Sequence, residues 1–163
     1  MSKRGYHHGN LRQALVEAAL SLIAEKGPTG FTLSEAAKAA DVTPAAVYRH
    51  FAGREDLLAE VARQGYEVFA ALMDYAYDGG RPTALAAIEA TGRAYLAFAR
   101  KYPGHYMAMF ESGLDPVQYP ELAGVALKAR TVLDRAAEGI AAHLPEGRRP
   151  PARMVAAHVW AMS

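Results

Sequence analysis

The sequence predicts an all-α fold. Alanine dominates a chain that is 52% hydrophobic and 21% charged, and alanine is the strongest helix former. Apolar residues recur at three- and four-residue steps through most of the 163 residues, the period of a helix with one buried face. No run of alternating or β-branched residues long enough for a strand stands out.

The elements follow in order. Asn10 and Gln13 form a capping pair, Asn accepting from first-turn amides while Gln reaches back. Leu11, Leu15, Ala18, Ala19, Leu22 and Ile23 then make one stripe, which Gly27 and Pro28 end. Thr32 and Glu35 are a second capping box, opening a short helix that runs to about Ala40. Asp41 and Val42 turn the chain. Thr43 caps a third helix with Pro44 at its first position, where the missing amide costs nothing.

Beyond Gly53 a long amphipathic helix carries Leu57, Leu58, Val61, Ala62, Val68, Phe69, Leu72 and Met73, and ends at Gly79 and Gly80. A helix from Pro82 has the stripe Leu85, Ile88, Tyr95, Leu96 and Ala99 and stops before Pro103, because proline disfavours helix at the residue before it. A short helix spans His105 to Glu111. After a turn-rich stretch, Val125, Ala129, Val132, Leu133, Ala136, Ile140 and Leu144 form a regular stripe. A last helix begins near Pro151 and carries Val155, Val159 and Met162.

Composition narrows the function. The chain has no cysteine, which excludes disulfides, thiolate zinc sites and cysteine nucleophiles and makes a reducing cytoplasm the simplest home. The longest apolar stretch is interrupted by Glu17, and no apolar core follows the basic start, so neither export nor membrane spanning is indicated. Net charge is only +1. Its distribution says more: Lys3, Arg4 and Arg12 stand without an acid in the first sixteen residues. Such an arm suits phosphates, and equally suits a solubilising tail.

Residues 32 to 51 place two short helices around a tight turn, with Ala36, Ala37, Ala40 and Ala46 where helices cross closely. A helix-turn-helix has this arrangement, and so has a generic helical hairpin. In the first case the third helix presents Thr43, Pro44, Ala45 and Ala46 to a DNA groove, side chains small enough for close backbone approach.

The run TPAAVYRHFAGREDLL, residues 43 to 58, separates the two. It resembles the signature of the TetR family, in which a recognition helix ends in tyrosine-x-histidine-phenylalanine and a lysine or arginine leads into the fourth helix. Residues 30 to 42 resemble the family's glycine-phenylalanine-threonine opening and alanine-rich second helix, and the resemblance covers about the first 60 residues. It implies a three-helix DNA-binding domain, residues 1–53, and a helical ligand-binding and dimerisation domain, residues 54–163. By the same resemblance Tyr48, His50 and Arg54 donate to phosphates, Thr32 and Thr43 cap helices while touching the DNA backbone, and Phe51 anchors the recognition helix. Arg54 stands where lysine is commoner, and both cations donate to phosphate. Pro44, Ala45 and Ala46 offer apolar contacts, as to a thymine methyl, while Arg49 suits a guanine or a phosphate.

The resemblance implies a transcriptional repressor released from double-stranded operator DNA by a small apolar or amphipathic effector, acting as a homodimer. Past residue 60 lie eleven of the fifteen aromatic residues. Tyr95, Phe98, Tyr102, Tyr106, Met107, Met109 and Phe110 crowd two neighbouring helices, as the lining of an apolar pocket would and as an ordinary aromatic core would. Family members bind their inducers in this part of the fold, which favours the pocket, with Tyr95, Phe98, Tyr102, Tyr106, Met107 and Phe110 as ligand contacts. Near the end, HVWAMS resembles the start of a tryptophan-x-x-x-histidine-glycine element of one family subgroup.

No metal site or cofactor is expected. The histidines lie apart and lack an HExxH spacing, and hydrolase, phosphate-loop and dinucleotide signatures are absent, so no enzyme is indicated. Two rivals remain: a helical small-molecule binder without DNA affinity, and a structural helical module. Family members dimerise through their last two long helices, of which only the beginning of one is present. The expectation is therefore a chain shorter than a complete member, or one that has lost that surface, with Val155, Val159 and Trp160 under-covered.

Overall fold

The computed structural model describes residues 10–115, residues 117–148 and Met154. Among these residues every regular element is helical. The helices are α1 (Leu11–Lys26), α2 (Leu33–Ala39), α3 (Pro44–Val47), α4 (Arg54–Tyr77), α5 (Ala84–Lys101), α6 (Pro103–Phe110) and α7 (Pro120–Ala141), with short 3₁₀ turns at Asp78–Gly80 and Glu146–Arg148. The all-α prediction is correct. Of the last predicted helix only Met154 is described, and it is helical; Val155, Val159 and Trp160 lie outside the described residues.

Local chemistry sets most helix ends. Asn10 Oδ1 accepts from the Gln13 amide at 3.2 Å, but Gln13 does not complete a capping box: its side-chain oxygen accepts from Gln64 of α4 at 3.2 Å. Gly27, at φ 82°, ends α1 in a conformation that suits glycine. The Thr32 box is complete. Thr32 Oγ1 accepts from the Glu35 amide, and Glu35 Oε2 accepts from the Thr32 amide at 2.8 Å.

Asp41 makes the next turn at φ 56°, which a short polar side chain tolerates. Thr43 occupies the cap position of α3, yet its side chain makes no capping hydrogen bond, so Pro44 at the first position carries that start. The α3 helix itself is only four residues long. Asp56, in the first turn of α4, accepts from the Ala52 amide at 3.0 Å and places its charge favourably at the positive helix end.

The chain divides into two packed units. The first comprises described residues 10–65 and 103–115, the second residues 66–102 and 117–148. In the first, Leu15, Val16, Ile23, Phe31, Val47, Phe51, Leu57, Leu58 and Val61 are fully or almost fully buried, each stabilising by about 1.5–3 kcal/mol. Glycine permits two of its close helix contacts: a Cβ on Gly104 of α6 would stand 2.6 Å from the Leu20 carbonyl oxygen of α1, and one on Gly65 would stand 2.7 Å from Met109 Sδ. His105 Nδ1 lies 3.0 Å from the Val61 carbonyl oxygen, so the ring donates there, and burial pulls its pKa down.

In the second unit Phe69 of α4 meets Phe98 and Tyr95 of α5 edge-on, at centroid separations of 5.1 and 5.3 Å. Tyr77 donates its hydroxyl to the Arg135 carbonyl of α7, and Arg135 pairs with Asp74. The faces differ from the predicted stripes at three places. On α5 the buried residues are Ala87, Thr91 and Phe98, whereas Leu85 is 70% and Leu96 58% exposed. Thr83, not Pro82, sets the start of α5 by accepting from the Ala86 amide at 3.2 Å. Val68 of α4 and Leu144 beyond α7 are also exposed.

Candidate nucleic-acid interface

Burial of Val47 and Phe51 settles which side of α3 faces outward. With these two side chains in the core of the first unit, Thr43, Pro44, Ala45 and Arg49 are exposed, Ala46 and His50 are half-buried, and Tyr48 is 62% exposed. The four-residue helix thus shows small side chains at its start and polar ones just beyond its end.

Beside it lies an open groove of about 530 Å³, lined by Phe31, Thr32, Leu33, Ser34, Tyr48, Ala52, Gly53, Arg54 and Glu55. Three residues singled out from the sequence, Thr32, Tyr48 and Arg54, therefore share one concave surface although they come from three segments. Each is set by a different force. Thr32 is held by its capping box, Tyr48 by its anchored neighbours Val47 and Phe51, and Arg54 by donating from Nη1 to the Thr29 carbonyl at 2.9 Å.

Charge in this region is balanced by contact. Lys26 Nζ lies 2.7 Å from Glu35 Oε1, and this ammonium, with the Thr32 amide and hydroxyl, lowers the Glu35 carboxyl to about 2. The Thr32 hydroxyl donates to Glu35 at 3.0 Å, so in this state its proton is already committed. An anion entering the groove meets Tyr48, Arg54 and the N-terminal end of the 24-residue α4, an end whose first amides have no acceptor within the helix. Glu55 is the acid on the same wall. Lys3 and Arg4, the candidate phosphate-contacting arm, lie outside the described residues.

The six candidate ligand contacts do not fall in one unit. Tyr95, Phe98 and Tyr102 belong to the second, where Phe98 is 0% exposed and its ring lies 5.4 Å from that of Tyr102. Tyr106, Met107 and Phe110 belong to the first, where the Tyr106 and Phe110 rings lie 5.0 Å apart.

Sequence reasoning missed a polar network between α1 and α4, which touches the chain just after α3 through the His50 carbonyl. The buried Glu60 carboxylate accepts from Arg12, Arg63 and Gln64. Its signal was available: Glu60 is the acid set among Leu57, Leu58, Val61 and Ala62 on an otherwise apolar turn, and a buried charge demands partners. Among the described residues no group of three or more histidines and carboxylates gathers as metal ligands do, and no helix is long and apolar enough to cross a membrane.

Known proteins resemble this chain in sequence and fold. A family model for bacterial regulatory proteins of the tetR family matches residues 15–61, and one for the tetracyclin repressor-like C-terminal domain matches residues 88–163. The HTH-type transcriptional regulator BetI of Rhizobium meliloti (strain 1021) is 42% identical over 52 residues, 32% of this chain and 26% of that protein. AcrR of Shigella flexneri, also an HTH-type transcriptional regulator, is 42% identical over 50 residues, 31% of this chain and 23% of that protein. The chain thus matches about a quarter of the length of these curated relatives.

Among solved structures, a protein of unknown function from Rhodococcus sp. RHA1 superposes with a TM-score of 0.77 at 25% identity, over 98% of this chain and 81% of that one. The TetR family transcriptional regulator PfmR of Thermus thermophilus gives 0.73 at 19% identity, over 93% and 81%. The fatty acid degradation regulator FadR of Bacillus halodurans gives 0.72 at 16%, over 99% and 82%. The last two likenesses are of fold. Helical architecture, the turn between α2 and α3, and the two family models on residues 15–61 and 88–163 agree: this chain belongs to the TetR family.

Proposed function

We propose that the chain is a DNA-binding transcriptional regulator, a repressor that leaves its operator when a small apolar or amphipathic molecule binds the helical body. The observation that carries this reading is the shared groove of Thr32, Tyr48 and Arg54 beside the exposed start of α3. A duplex backbone can be held by the polar wall while Pro44, Ala45, Ala46 and Arg49 meet base edges, dividing positioning from readout. His50 and Thr43 flank that division, and Lys3 and Arg4 add charge along the phosphates.

Residues 1–53 are assigned the DNA-reading role and residues 54–163 ligand binding and dimerisation. Tyr95, Phe98 and Tyr102 of the second unit, and separately Tyr106, Met107 and Phe110 of the first, are the proposed effector contacts, each set within its own unit, with the aromatic content of these helices as support. A homodimer suits the task, since tethering two half-site readers raises avidity by roughly 10² to 10⁴. The proposed site of action is the cytoplasm.

Selection of duplexes from a random-sequence pool, followed by retardation assays in rising salt, tests the reading. Sequence-selective, salt-dependent retention supports it; equal affinity for selected and scrambled duplexes defeats it. A screened compound that weakens retention must in turn bind less tightly when the selected duplex is present, by the same factor.

A further inference from the structure

Arg12 stands near the start of α1, and its guanidinium meets three parts of the first unit. Nη1 donates to the His50 carbonyl at 3.1 Å, Nη2 donates to Glu60 Oε2 at 3.1 Å, and the guanidinium carbon lies 4.6 Å from the centre of the Phe51 ring. Glu60, only 9% exposed, takes four donors on its two oxygens: Arg12 Nη2, Arg63 Nε and Nη2, and Gln64 Nε2, at 2.8 to 3.1 Å.

We infer that Arg12, oriented by Glu60, is a positioning residue that fixes the backbone just after α3 and so sets the pose of Tyr48 and Arg49 toward DNA. The inference rests on the DNA-binding reading above. Four residues are too few for a helix to hold itself. The amides of His50 and Phe51 both bond to the Val47 carbonyl, whereas the His50 carbonyl accepts from Arg12. Arg63 already pairs with both oxygens of Glu60, so Arg12 is not required to neutralise that carboxylate. The dependence runs the other way: Glu60 aims the fork of Arg12. A planar guanidinium can bond a carbonyl and a carboxylate and stack on a ring at once, which an ammonium cannot.

Arg12 is half-exposed, so a direct phosphate contact is the competing role, and the two separate experimentally. Arg12→Lys keeps the charge and loses the fork; Glu60→Gln alters a buried group that no phosphate touches. Each variant of the full chain is titrated with a duplex selected from a random pool by the unmodified chain, and with a scrambled duplex of equal length, across a salt series. Amide exchange at His50 and Phe51 is followed without DNA.

Both variants should lose roughly tenfold or more in affinity for the selected duplex, the scale of one base contact, with scrambled-duplex affinity within about twofold and the salt slope unchanged. Exchange at the two amides should quicken by about tenfold. Full selected-duplex affinity in Arg12→Lys overturns the inference and leaves the DNA-binding reading intact, even if Glu60→Gln fails to fold. Equal losses on both duplexes for Arg12→Ala, with the slope lower by about 0.9, likewise overturn it in favour of a phosphate contact. If the unmodified chain selects no duplex at all, the DNA-binding reading falls and this inference with it.

Discussion

Arg54 Nη1 donates to the backbone carbonyl of Thr29 at 2.9 Å, tying the first residue of α4 to the loop that follows α1. The bond holds the guanidinium on the groove wall before any partner arrives. Its other nitrogens remain able to donate, and little side-chain entropy is left to lose on binding.

From this arrangement, Arg54→Ala should weaken duplex binding by on the order of 1 kcal/mol or more per half-site, similarly across sequence variants, and flatten the salt dependence by about one phosphate contact. Tyr48→Phe should lose a similar amount while leaving the slope nearly unchanged, because a hydroxyl is removed and no charge. Retardation assays at several salt concentrations measure both. Unchanged affinity in the two variants would remove the groove from the interface.

Acid should weaken the first unit through two carboxylates. Glu35 is lowered to about 2 chiefly by Lys26, and Glu60 to about 2 chiefly by Arg63, with Gln64 and Arg12 adding to it against the cost of burial. Folded values below the ordinary 4.5 mean that the stabilisation is complete above that pH and disappears as pH falls toward 2. The gap in unfolding midpoint between the unmodified chain and Glu60→Gln should therefore be widest above about pH 5 and close near about pH 2. Glu35→Gln should show a smaller gap, since its ion pair is exposed and screened. A gap for Glu60→Gln that stays constant over this range would refute the assignment.

Two glycines give opposite predictions. Gly104→Ala should destabilise by about 1–3 kcal/mol, because the new methyl would stand 2.6 Å from the Leu20 carbonyl oxygen. Gly92→Ala, within α5 and with nothing inside 4 Å of its Cβ position, should stabilise by about 0.5–1 kcal/mol through helix propensity. Denaturant melts of the pair decide, and a matching sign in both would be inconsistent with this packing.

The observed face of α5 has its own test. Phe98→Ala should cost about 3–5 kcal/mol, because the ring is fully enclosed and meets Phe69 edge-on. Leu85→Ala should stay within about 0.5 kcal/mol. The reverse order in thermal unfolding would restore the stripe suggested by spacing alone.

The Thr32–Glu35 box, the Asn10 cap, Gly27 and Pro44 were legible in the sequence because each acts within a few residues of itself. A hydrogen bond from residue i to i+3 depends on local backbone geometry, and a proline's fixed φ depends on nothing else. The tyrosine, histidine and arginine after α3 were legible for another reason, their likeness to a known signature. What needed the tertiary structure was every choice between equivalent local options. Gln13 had a cap amide and a distant glutamine within reach, and took Gln64. In α5, alanines lie on several sides of the helix, so spacing pointed to the stripe with Leu85 and Leu96, and the packing of Phe69 on Phe98 turned a different face inward. Arg12 read as one more charge of a basic start, and only the approach of α1 to α4 and to the end of α3 brought Glu60, His50 and Phe51 around it. Contacts 38 and 48 residues apart in the chain leave no local pattern, because the donor and its acceptors become neighbours only when the helices pack.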